Sequence, residues 1–134
     1  MRFALSLDEL HKMMDYIRGE AEKSNVPSGK IHKLELAAEE ALVNVISYGH
    51  PSTENALEIA CVNDGPHFVV QIKDWGPEFN PVEADIDIQR GASVEERKIG
   101  GLGIHLFRKL VDEVAYLRED MVNTLSFTLR LEVQ

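Results

Sequence analysis

The feature that most constrains this chain is a turn set between two alternating runs. Asn63-Asp64-Gly65-Pro66 places four turn-forming residues in a row. Before it, Leu57, Ile59 and Cys61 alternate with Glu58, Ala60 and Val62. After it, Phe68, Val70, Ile72 and Asp74 alternate with Val69, Gln71 and Lys73. A period of two on both sides of such a turn predicts a β-hairpin. A hairpin commits this part of the sheet to antiparallel pairing. Further along, Leu125, Phe127, Leu129 and Leu131 alternate cleanly with Ser126, Thr128, Arg130 and Glu132.

Around these strands the pattern turns helical. Arg2 to Ser6 reads as a short first strand. Ser6 and Glu9 have capping-box spacing, and Leu7, Leu10, Met14, Ile17 and Ala21 recur at helical spacing up to about Lys23. Asn25-Val26-Pro27-Ser28-Gly29 reads as a turn. A second helix is expected from Ile31 to Tyr48, with Gly49 and Pro51 ending it. Trp75 to Gly101 shows little periodicity and reads as a long loop, a length usually tied to function. Gly103 opens a third expected helix with Ile104, Phe107, Leu110 and Val111 inward. Val114–Arg118 and Thr124–Glu132 are the expected last strands. The order predicts an α+β fold: a two-layer sandwich, its mostly antiparallel mixed sheet carrying helices on one face.

Length and charge narrow the function. A chain of 134 residues suits one domain, 1–134. A net charge of −9 argues against direct nucleic-acid binding. No apolar run approaches the ~20 residues of a membrane span, and Met1 to Ser6 lacks the apolar core of a signal peptide. One cysteine, Cys61, leaves no internal disulfide and reads as a small core residue. These features point to the cytoplasm. The five histidines have no zinc-ligand spacing.

Three segments carry chemistry. Glu40 and Asn44 stand four residues apart, so they share a helix face. The apolar stripe of Ile31, Leu34, Ala38, Ala41, Leu42 and Val45 puts the pair at the edge of the buried side. A carboxylate beside an amide oxygen suits a hard cation together with a proton acceptor. Asp74 shares the parity of Phe68, Val70 and Ile72, so its carboxylate faces the covered side and needs a donor. A purine amino group would supply one, and Gly76 would let the backbone approach a flat ring. Asp74 is also consistent with a strand-end Asp that simply opens a turn. Gly100-Gly101-Leu102-Gly103 precedes a helix, where backbone N–H groups can meet an anion. It is equally consistent with a hinge, and it fits neither the Walker pattern nor a Rossmann fingerprint.

Taken in order, Glu40-x-x-x-Asn44, Asp74-x-Gly76 and Gly101-x-Gly103 resemble the N, G1 and G2 boxes of the GHKL (histidine-kinase-like) ATPase superfamily, whose ATP-binding domain has the Bergerat fold. The resemblance spans essentially the whole chain. The short length and the wording Gly-Leu-Gly-Ile-His-Leu-Phe-Arg-Lys-Leu-Val-Asp-Glu-Val are most similar to the anti-sigma-factor serine kinases of partner-switching systems. That resemblance implies an ATP-dependent serine/threonine protein kinase. Glu40 is then the general base toward the attacking hydroxyl, and Asn44 coordinates Mg²⁺ at the ATP phosphates. Asp74 binds the adenine amino group, with Gly76 beside it. Gly101, Leu102 and Gly103 surround the phosphates, and Thr124 supports Asp74. The implied partners are an antagonist (anti-anti-sigma) protein as substrate, a sigma factor, and a second copy in a homodimer. A different class also fits: a nucleotide-binding regulatory module that sequesters a partner and phosphorylates nothing. Some positions depart from the family pattern. Tyr48 stands where many relatives carry His or Lys, and Pro77-Glu78-Phe79 replaces a Gly-rich continuation.

Overall fold

The computed structural model describes residues 1–48, 52–78 and 110–131. Its strands are β1 (Arg2–Leu5), β2 (Ser52–Asn63), β3 (His67–Asp74), β4 (Glu113–Glu119) and β5 (Val122–Arg130). Its helices are α1 (Leu10–Lys23) and α2 (Ser28–Tyr48). The strands form one sheet in the order β1-β2-β3-β5-β4, and every described pairing is antiparallel. The α+β expectation holds. The long loop and the third helix expected after Glu78 fall mostly outside the described residues.

The β2–β3 hairpin forms where the turn residues predict it. Asn63 Oδ1 accepts the Gly65 N–H at 2.8 Å, and Asp64 Oδ1 accepts the His67 N–H at 2.9 Å. Gly65 sits at φ 101°, a region open to glycine and strained for other residues.

The β4–β5 turn was not apparent from the pattern. Asp120 and Met121 join paired Glu119 and Val122, both at positive φ, 52° and 66°. A two-residue turn of this hand matches the twist of its strands but favours Asn and Gly. Met121 is exposed and gains nothing by packing there. Met121→Gly removes the left-handed penalty at some cost in chain entropy, so stability should rise by about 0.5–1 kcal/mol. Chemical denaturation would show this as a higher midpoint at unchanged slope.

The helix ends follow local chemistry. At the start of α1, Ser6 Oγ accepts the Asp8 N–H at 3.2 Å. Leu7–Glu9 forms a 3₁₀ turn, so the α-helix proper begins at Leu10 and not at Leu7. The tighter turn moves the capping contact one residue earlier than the capping box implies. Asn25, at φ 59°, ends α1. Its N–H reaches the Glu22 carbonyl at 3.0 Å, and the Val26 N–H reaches Ala21 at 3.1 Å. This is the Schellman pattern, completed by burial of both Val26 and Ala21. The Pro27 carbonyl accepts from Lys30 and Ile31, so α2 starts at Ser28, earlier than the apolar stripe alone suggests.

Both helices bury one stripe on the same sheet face. Met13, Ile17 and Ala21 come from α1, and Leu34, Ala37, Ala38, Ala41, Leu42, Val45 and Ile46 from α2. They meet Leu57 and Ile59, Phe68, Val70 and Ile72, and Leu125, Phe127 and Leu129. Burying each large apolar side chain contributes roughly 1.5–3 kcal/mol. On the other face, Ala60, Val62, Lys73, Ala115 and Leu117 are exposed. Among the described residues, no helix is long and apolar enough to cross a membrane.

Candidate functional site

Three polar side chains are buried among the described residues: Asn44, Asp74 and Asn123, all under a tenth exposed. Burying such groups is costly unless each is hydrogen-bonded, so they mark places where the fold gives up packing for something else. Two of them lie on adjacent strands and touch.

Asp74 is the last residue of β3, and its register partner on β5 is Asn123. Both follow the parity of the core: Phe68, Val70 and Ile72 lead to Asp74, and Leu129, Phe127 and Leu125 lead to Asn123. Asp74 Oδ1 accepts the Gly76 N–H at 2.9 Å and Asn123 Nδ2 at 3.0 Å. The first bond makes an Asx turn, which bends the chain immediately after the strand. Asn123 Nδ2 also donates to the Pro77 carbonyl at 3.0 Å. Its Oδ1 accepts from the Tyr116 hydroxyl at 2.5 Å and from Arg118 at 3.2 Å. The same Arg118 nitrogen donates to the Gly76 carbonyl at 2.8 Å. Asn123 thereby uses all its donors and acceptors. Oδ1 of Asp74 is saturated, whereas Oδ2 receives no hydrogen bond from the described residues. A buried carboxylate oxygen in that state suits a ligand that brings its own N–H donor.

On α2, Glu40 is half-buried and Asn44 is fully buried, one turn apart, with Asn44 among Ala41, Leu42 and Val45. Glu39 is exposed, as the spacing argument for Glu40 expects. Among the described residues there is no group of three or more His, Cys, Asp or Glu side chains able to hold a metal ion. A sparse set of hard oxygens fits Mg²⁺, which takes one or two protein groups and completes its shell with phosphates and water.

Of the residues singled out in the sequence, the structure brings Asp74 and Gly76 together. It does not bring Thr124 to them. Thr124 pairs with Lys73, whose side chain is exposed on the opposite face, and the side chain that holds Asp74 is Asn123. Gly101, Leu102 and Gly103 lie outside the described residues. Asn123, Tyr116 and Arg118 were missed. Parity with Leu125 and Phe127 would have found Asn123, but the other two depend on the β4–β5 register.

Cys61 is half-buried against the core and belongs to no described polar cluster. Burial pushes its thiol up to about 12, and the nearby Glu20 charge adds to the effect. Its protonated form is therefore favoured by folding. This contribution is intact below the unfolded thiol's value and is lost as pH rises from about 9 toward 12. At pH 8, iodoacetamide should modify the folded protein at least about tenfold more slowly than the unfolded chain.

The family model of the histidine kinase-like ATPase domain matches residues 3–129, and the chain belongs to that family. The serine/threonine-protein kinase BtrW of Bordetella bronchiseptica is 29% identical over 99 residues, covering 71% of this chain and 67% of that protein. Among solved structures, the RsbU and RsbW domains of Rv1364c from Mycobacterium tuberculosis superpose with a TM-score of 0.64 at 14% identity. That match covers all of this chain, which spans about a third, 33%, of the Rv1364c chain. The Acinetobacter baumannii histidine kinase AdeS matches 77% of this chain and 48% of its own, with a TM-score of 0.51 at 14% identity. These two likenesses establish the fold.

Proposed function

We propose that the chain is an ATP-dependent serine/threonine protein kinase of the partner-switching kind. It phosphorylates a small antagonist protein in the cytoplasm and, as a homodimer, restrains a sigma factor when not bound to that antagonist. The observation that carries the nucleotide part is the Asp74 carboxylate, with Oδ1 saturated and Oδ2 given no donor by the described residues. Similarity to BtrW supports the choice of a protein hydroxyl as acceptor.

In this reading the Asp74 Oδ2 accepts the amino group of adenine, and Gly76 leaves room for the ring. Gly101, Leu102 and Gly103 present backbone N–H groups to the phosphates. Asn44 holds Mg²⁺, which when bound supplies charge neutralisation at the phosphate oxygens. Glu40 takes the proton of the serine hydroxyl as its oxygen bonds to the γ-phosphorus. The bond from that phosphorus to the β–γ bridging oxygen breaks, and ADP leaves. Most of the acceleration comes from positioning and electrostatics, as in phosphoryl transfer generally.

Incubation with γ-labelled ATP, Mg²⁺ and candidate antagonist proteins tests this. Label on a serine or threonine of one antagonist is the expected result. ATP binding without transfer to any antagonist would favour the sequestering module.

A further inference from the structure

We propose that Tyr116, Asn123 and Arg118 form an orientation lock for Asp74, making them positioning residues that set purine selectivity. The inference rests on the nucleotide reading above and adds the residues that enforce it. It starts from the chemistry of the amide. An Asn side chain has an acceptor end and a donor end of nearly the same shape, so its orientation is decided by its neighbours. Arg118 can only donate. Its nitrogen lies 3.2 Å from Asn123, so the Asn123 oxygen must face it. The Tyr116 hydroxyl, at 2.5 Å, donates to the same oxygen. The Asn123 NH₂ group is thereby turned toward Asp74 Oδ1 and the Pro77 carbonyl.

The consequence lies at the other oxygen of Asp74. With Oδ1 held by Gly76 and Asn123, the carboxylate cannot rotate without breaking both bonds. Arg118 also ties the Gly76 carbonyl, so the turn after the strand is held from the same side. Among the described residues, what remains is a single fixed acceptor. It accepts the 6-amino group of adenine and opposes the 6-keto oxygen of hypoxanthine or guanine, which would place acceptor against acceptor. Without the lock the Asn123 amide is held only at its NH₂ end, by Asp74 Oδ1 and the Pro77 carbonyl, and its oxygen loses both donors. The amide can then tilt, and the carboxylate loses its fixed presentation.

ATP and ITP are the probes, since they differ only in the ring's 6-position and the proton that follows from it. Trp75, the only tryptophan, directly follows Asp74 and is partly exposed, so its fluorescence can report binding. The wild-type protein should prefer ATP over ITP. The Tyr116→Phe/Arg118→Met double variant, which removes both donors to the Asn123 oxygen, should reduce that preference by about tenfold, through weaker ATP binding with ITP little changed. Arg118→Lys, which keeps a donor, should retain most of the preference. Each single variant should show a smaller loss than the pair, which keeps the test usable if the double variant does not fold. A merely structural role would lower ATP and ITP binding together, and an unchanged ratio in folded variants would overturn the lock alone. Failure of the wild type to bind either nucleotide would overturn the nucleotide reading, and the lock with it.

Discussion

Glu40→Gln should slow phosphoryl transfer by about 10²–10⁴-fold while leaving ATP affinity within about twofold of wild type. The substitution keeps the shape and helix propensity of the side chain, and Glu40 is only half-buried, so α2 should be undisturbed. What is lost is the group that accepts the hydroxyl proton in the proposed reaction. The adjacent Glu39 is exposed and does not replace it. Transfer to the antagonist at saturating Mg-ATP, measured alongside the ATP dissociation constant, separates the two effects. Asn44→Ala should behave differently and weaken Mg-ATP itself. Transfer at the wild-type rate in Glu40→Gln would make Glu40 an ordinary helix residue.

Asp74→Asn should weaken ATP and ADP alike, by roughly 1.5–3 kcal/mol or about 10- to 150-fold. The reason is the partition of the two carboxylate oxygens. The position of Oδ1 must remain an acceptor, because both its neighbours, Gly76 N–H and Asn123 Nδ2, are donors. An amide at residue 74 therefore places its oxygen there and its NH₂ where Oδ2 was. A donor then meets the donor of the adenine amino group. Calorimetric titration with both nucleotides would show the parallel loss. ATP affinity unchanged in a folded Asp74→Asn protein would remove Asp74 from adenine recognition.

Much of the architecture was legible because it depends on local periodicity. The β2–β3 hairpin follows from alternation around Asn63–Pro66, and α2 follows from its apolar stripe. The inward position of Asp74 follows from its parity with Ile72. What depended on register was not legible. The Arg118 contact exists because Arg118 pairs with Asn123 across β4 and β5, and that pairing is set by the unanticipated Asp120-Met121 turn. Thr124 and Asn123 show the same limit from another side. Family resemblance favours Thr124, but a shift of one residue along a strand changes the face. The alternation of Asn123, Leu125, Phe127 and Leu129 puts Asn123 beside Asp74. The 3₁₀ turn before α1 reflects a choice between capping geometries of similar energy, which residue types alone do not decide.

The central claim is that the polar cluster around Asp74 reads an adenine ring. The most direct test is a site-resolved titration of isotope-labelled protein with Mg-ATP, followed by nuclear magnetic resonance. Two resonances report on the cluster: the Gly76 backbone amide and the Asn123 side-chain NH₂, both bonded to Asp74 Oδ1. Both should shift saturably with ATP and ADP, and far less with GTP at the same concentration. If ATP binds while both signals stay in place, or if GTP moves them equally, adenine is not recognised at Asp74.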